Sequence, residues 1–175
     1  MKDKKHLYVL ALLIGLIFFV PLSGWAQSKP ETKKPIITHA FATDTAHYGT
    51  IWKVYIEAED PDGDMLRIAS VVDQVGYGRY PAQWIYVKPP YGKYLRGYLQ
   101  GNFYSKNTAP LNDGTQITLK VSVFDRAGNE SNEVVFRLTF LSGGGGLPNP
   151  PAPFDQGDNP RLGHLSFDLR NPGTY

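Results

Sequence analysis

Trp52-Lys53-Val54-Tyr55-Ile56-Glu57-Ala58-Glu59-Asp60-Pro61-Asp62-Gly63-Asp64 is the stretch that decides the fold. Trp52, Val54, Ile56 and Ala58 alternate with Lys53, Tyr55, Glu57 and Glu59. A period of two puts the first set on one face of a strand and the second on the other, so the segment reads as a half-buried β-strand. The strand then stops. Pro fixes φ, Gly supplies positive φ and Asp bonds its own backbone, which makes Asp60–Asp64 a turn.

The same pattern recurs along the chain. Ile117, Leu119, Val121 and Val123 alternate with Thr118, Lys120 and Ser122, and Val134, Phe136, Leu138 and Phe140 alternate with Arg137 and Thr139. Less regular runs at Ile36–Phe41, Leu66–Val72, Gln83–Lys88 and Tyr94–Phe103 bring the expectation to about seven strands, the density of a sandwich. No apolar period of 3.6 persists between Pro35 and Leu141. The expected fold class is therefore all-β, an antiparallel β-sandwich over residues 35–141.

The flanks read differently. Lys2, Lys4 and Lys5 precede an uncharged apolar run from Leu7 to Leu22, and Gly24-Trp25-Ala26 follows with small residues at its ends. That is the layout of an export signal peptide over residues 1–26, cleaved after Ala26; an uncleaved membrane anchor is the alternative. Export to the periplasm or cell surface is the expected location. Residues 27–34 are polar and read as a flexible spacer. Residues 142–175 open with Gly143–Gly146 and a proline-rich run, and read as a linker and flexible tail. Within the tail, Leu165, Phe167 and Leu169 alternate around Ser166 and Asp168, so a docking strand for a sheet edge of this chain or of a partner is the competing reading.

Charge and cysteine content narrow the function classes. The leader takes three of the 18 basic and one of the 16 acidic residues, leaving fifteen of each. A chain with no net charge has no global attraction to nucleic acid or anionic lipid, so no nucleic-acid partner is expected and membrane contact only through an uncleaved leader. With no cysteine there is no disulfide framework, and the core alone must hold the domain.

Ile56–Leu66 resembles the second strand and following turn of bacterial immunoglobulin-like and cadherin-like exported domains. Val121–Ser131 resembles their penultimate strand and last hairpin. The resemblance implies an immunoglobulin-like topology and a role as spacer, adhesion module or accessory domain. Tyr77–Phe103 departs from the pattern, being longer and richer in tyrosine, which leaves the middle strand order open.

Two constellations could carry chemistry. In an immunoglobulin-like topology the turns after the second strand and before the last share one end, bringing Asp60, Asp62 and Asp64 toward Asp125 and Asn129. Those oxygens suit Ca²⁺; they also suit two self-satisfied turns with solvated carboxylates. An EF-hand is excluded, because Met65 and Val71 stand where that loop needs Gly and Glu. The second is the aromatic, basic stretch from Tyr77 to Lys106, within which Tyr94, Arg96 and Tyr98 share a strand face opposite Leu95 and Leu99. As an exposed row they would offer a binding surface for protein or cell-envelope glycan; otherwise tyrosine is there as a strand former. Catalysis has little to stand on. His39, His47 and His164 lack metal spacing, no nucleophile elbow or phosphate loop occurs, and Glu57 and Glu59 read as solvated. The expectation is a non-catalytic binding module, with a structural spacer or calcium-stabilised accessory domain as alternative and a small hydrolase as a distant one.

Overall fold

The computed structural model describes residues 32–47, 49–104, 111–143, 145–146 and 148–170, the side chains of Phe103, Tyr104 and Phe167 excepted. The leader, 1–26, and most of the spacer lie outside the described residues. Among these residues ten strands form: β1 (Ile36–Phe41), β2 (Thr45–His47), β3 (Ile51–Glu59), β4 (Met65–Gln74), β5 (Gly78–Arg79), β6 (Gln83–Tyr86), β7 (Tyr94–Tyr104), β8 (Gln116–Asp125), β9 (Val134–Leu141) and β10 (Arg161–Asp168). A 3-10 turn at Pro89–Tyr91 lies between β6 and β7. The chain is an all-β, immunoglobulin-like sandwich.

Four strands make one sheet in the order β1-β3-β7-β10, and six make the other along β2-β9-β8-β4-β5, with β6 also on β4. β1 and β2 are consecutive yet lie in different sheets. Trp52 holds that crossing, its indole N–H donating to the Thr43 carbonyl at 3.0 Å while its ring is fully buried. The apolar halves of the alternating runs meet between the sheets: Val54, Ile56 and Ala58 of β3 and Leu95 and Leu99 of β7 face Ile68 and Val72 of β4, Leu119, Val121 and Val123 of β8, and Leu138 and Phe140 of β9.

The C-terminal region corrects the expectation of a disordered tail beyond residue 141. β10 pairs in parallel with β7, from Arg161 opposite Tyr98 to Asp168 opposite Tyr104. Leu165 and Leu169 are buried in the common core and Leu162 packs against it; Phe167 stands opposite Phe103 in the ladder. The docking partner is therefore an edge of this chain itself. Gly97 makes the approach possible: a Cβ there would run into the Pro160 carbonyl and the Leu162 side chain.

Side-chain amides fasten the rims of the four-stranded sheet to the other sheet. Asn132 accepts from the Ile37 N–H at 2.8 Å and donates to its carbonyl at 3.1 Å. Gln83 does the same for Ser166, at 2.8 and 2.7 Å. Gln74 brackets Arg170 in the same manner and also accepts from the Tyr80 hydroxyl. An amide carries one acceptor and one donor group on a single carbon, so it can occupy both backbone groups of one edge residue as a neighbouring strand would.

Candidate functional site

The acidic end is built by the β3–β4 and β8–β9 turns, which the Arg126 N–H joins by donating to the Asp64 carbonyl at 3.1 Å. All five residues singled out from the sequence meet here. Asp60, 1% exposed, uses one carboxylate oxygen for the Asp62 N–H and the other for the Asp64 N–H, both at 3.1 Å. Asp125 is equally buried and binds Asn129 twice, accepting from its N–H at 2.8 Å and its side-chain amide at 2.7 Å. Asp62 accepts from the Lys33 N–H at 2.7 Å, and Asn129 donates to the Thr32 hydroxyl at 2.8 Å. The N-terminal segment thus crosses this end.

Asp60 and Asp125 are turn organisers, each oxygen taken by its own loop. Among the described residues no three acidic or imidazole side chains converge to hold a metal ion. Self-capping accounts for the burial of Asp60 and Asp125. Asp64 is the exception. Its Oδ1 is buried without a partner. Burial first, then the Asp60 carboxylate and the charges of Asp125 and Asp62, push its carboxyl above the usual range.

A pH-dependent prediction follows from that sign. As pH rises past about 4, the unfolded chain gives up the Asp64 proton before the folded one does, so folding grows costlier until the folded carboxyl also ionises. Asp64→Asn should be more stable relative to wild type at pH 7 than at pH 4, with the gap closing below pH 4. Urea melts of residues 32–175 at both pH values measure it. If added calcium raised the wild-type Tm and left the variant unmoved, the cation reading would return.

The Tyr94-Arg96-Tyr98 face is real, and Leu95 and Leu99 do lie opposite in the core. It is not a free row. Arg96 donates to the carbonyls of Pro153 and Gln156. Tyr98 meets Tyr55 at a tilt, ring centres 5.8 Å apart, Phe154 closes over Tyr55 at 5.4 Å, and Lys53 lies 4.9 Å from the Tyr98 ring centre. The segment from Pro148 to Pro160 is a strap over this sheet face, and Phe154 is buried beneath it. Only Tyr94 keeps substantial exposure.

Glu57 also departs from the expectation of a solvated carboxylate. It is 8% exposed and accepts hydrogen bonds from the Tyr94 hydroxyl at 2.7 Å, His39 Nδ1 at 3.0 Å and the Thr38 hydroxyl at 3.2 Å. Burial alone would raise its pKa; those hydrogen bonds and the His39 charge outweigh it and the net displacement is downward. Beside the strap an open hollow of about 180 Å³ lies between Phe41, Tyr55 and Lys53 on the sheet and Pro148 and Pro150 on the strap. Its lining has no carboxylate or imidazole, and the Thr43 hydroxyl there donates to the Thr45 carbonyl.

A cluster of aromatic rings open to solvent lies on the other sheet. Trp84 and Tyr86, alternate residues of β6, are 43% and 68% exposed. The Arg67 guanidinium stacks 3.9 Å from the Trp84 ring centre, and Phe124 meets Trp84 edge-on at 5.3 Å. The ladder explains the cluster, since Arg67 of β4 lies opposite both Tyr86 and Phe124 and Ala69 lies opposite Trp84. The alternation of Trp84 and Tyr86 was visible in the sequence. The neighbour strands that turn it into a patch were not.

No family model matches the chain, and no curated protein does. Solved structures align with it. A PKD domain of an M14-like peptidase from a Thermoplasmatales archaeon covers 63% of this chain and 98% of its own length, at 14% identity and a TM-score of 0.42. A CARDB domain of a Pyrococcus furiosus protein, solved in complex with di-metal ions, covers 66% and 100%, at 9% identity and a TM-score of 0.37. At such scores these likenesses carry no argument about site or activity.

Proposed function

We propose that the chain is an exported, non-catalytic immunoglobulin-like module that presents the Arg67–Trp84–Tyr86–Phe124 face to a protein partner. One observation carries the reading: two large aromatic rings stand partly in water on one sheet face, with a guanidinium already stacked on one of them. Trp, Tyr and Arg are the residues that dominate binding energy at protein interfaces. A glycan partner is the second choice, because Arg67 occupies a face of Trp84 that a sugar ring would need. Export is supported by the charged and apolar layout of residues 1–26.

Tyr86→Ala is the test variant, since that ring is mostly outside the fold. Photo-crosslinking from position 86 in the cell of origin should capture a discrete envelope protein, and Tyr86→Ala should weaken the purified complex roughly 30-fold. Retention on purified peptidoglycan, lost with the same substitution, would move the reading to glycan. No crosslink and no difference between variant and wild type would leave a structural spacer.

A further inference from the structure

β9 is covered along only part of its outer edge. β2 pairs with Thr139, Phe140 and Leu141, and Asn132 is engaged with Ile37. Between them, Glu133–Leu138 has β8 on one side and, among the described residues, no strand on the other. The direction of the free groups follows from the ladder. Thr139 donates its N–H to Asp44, away from β8, while Phe140 donates toward Thr115 on the β8 side. By alternation Arg137 and Val135 turn their N–H and C=O groups outward with Thr139. A row of unpaired backbone groups is a template for another strand.

We propose that this edge pairs with the same edge of a second copy of the chain, antiparallel about a two-fold axis through Val135. In that register Val135 meets Val135 of the partner, Glu133 meets Arg137 on both sides of the axis, and Val134 meets Phe136. Every pair is matched in kind. Val135 is 51% exposed, Arg137 is exposed and without an acidic partner among the described residues, and Glu133 pairs with Lys120 at 3.4 Å. Val134 and Phe136 are half-buried against the core, so their pairing would extend the core across the axis.

Other registers are unfavourable. Moving the axis to residue 133 or 137 sets Glu133 against Glu133 or Arg137 against Arg137. Moving it to 134 or 136 sets Val135 against a charge. Like charges directly opposite destabilise a strand pair, and opposite charges support it. Because β2 ends the free stretch at Thr139, the seam is short, and the dimer is a weak one, with a Kd on the order of 10–100 µM.

The experiment uses residues 32–175, which contain every core side chain described. Sedimentation from 10 µM to 1 mM should show a monomer–dimer equilibrium, and hydrogen exchange at the Val135 and Arg137 amides should slow as concentration rises. Arg137→Glu places two like-charge pairs in the seam and should weaken dimerisation at least tenfold. Adding Glu133→Arg to it restores opposite charges and should return the Kd to within about threefold of wild type. Val135→Pro removes an outward N–H that β8 does not use and should abolish the dimer. A monomer at 1 mM overturns the proposal. So does a dimer that Arg137→Glu and Val135→Pro leave unchanged, or amides whose exchange ignores concentration.

Discussion

Ending the chain at Leu141 should leave residues 32–141 without a cooperative fold. The cut removes Leu162, Leu165 and Leu169 from the core and Phe154 from the outer face of the four-stranded sheet. Burying a large apolar side chain is worth about 1.5–3 kcal/mol, so these four account for roughly 6–12 kcal/mol. A domain of this size has about 5–15 kcal/mol to lose. The loss does not stop there, since Ile68 of β4 and Leu95 of β7 line a hollow with Arg161 and Leu162 of β10, and Tyr55 loses its cover. Residues 32–175 should melt in one transition. Residues 32–141 should show no thermal transition by near-UV circular dichroism and should bind a hydrophobic dye. The graded form of the experiment is Leu165→Ala, expected to cost about 3 kcal/mol. A truncated chain with an unchanged urea midpoint would mean that β10 is an ornament on a complete sandwich.

That result bears on why the sandwich was legible in the sequence while its boundary was not. β3, β8 and β9 announce themselves because one face meets the core and the other meets water, so polarity alternates at every step. β1, β4, β6 and β7 are more weakly marked, yet each begins or ends in a turn signal. β2 and β5 are three and two residues long, too short to show any period. β10 hides for another reason. Gly163 and His164 break its apolar pattern, and a glycine- and proline-rich approach is the composition of a linker. The glycine has its own cause, because a Cβ at 163 would press on Ile85.

The candidate sites divide along the same line. Asp60–Asp64 and Asp125–Asn129 were placed together by topology, since the order of two hairpins decides which turns share an end. Their chemistry was not readable, because a carboxylate that caps its own turn and one that awaits a cation have the same sequence. Tyr94, Arg96 and Tyr98 were put on the correct face of β7, and what holds Arg96 down comes from Pro153 and Gln156, more than fifty positions away. Glu57 is buried for the same long-range reason, by Tyr94, His39 and Thr38 together. Local alternation tells which way a side chain points; only the distant partners tell whether water is there.

Gln74→Glu should cost about 3 kcal/mol at pH 7, the scale of leaving a buried charge without compensation. Gln74 is 3% exposed, and its amide serves three groups: the N–H and the carbonyl of Arg170 and the hydroxyl of Tyr80. An ionised glutamate can still accept from the Arg170 N–H and from Tyr80. It cannot donate, so the Arg170 carbonyl would face a negative oxygen held at a position that is itself 3% exposed. The introduced carboxyl therefore holds its proton more tightly in the folded chain than in the unfolded one. With a folded pKa above the unfolded value, the variant is most stable below about pH 4 and loses stability as pH rises. Gln74→Leu has no proton to lose; it strips the Arg170 carbonyl of its donor and the Tyr80 hydroxyl of its acceptor at every pH, while the Arg170 N–H keeps the Tyr80 oxygen at 3.1 Å, so its deficit of about 2–4 kcal/mol should be flat. Urea midpoints of wild type and both variants at pH 4 and pH 7 separate the cases. A Gln74→Glu midpoint independent of pH would show that Arg170 lies in water, and the seam between β4 and the end of β10 would then hold by apolar packing alone.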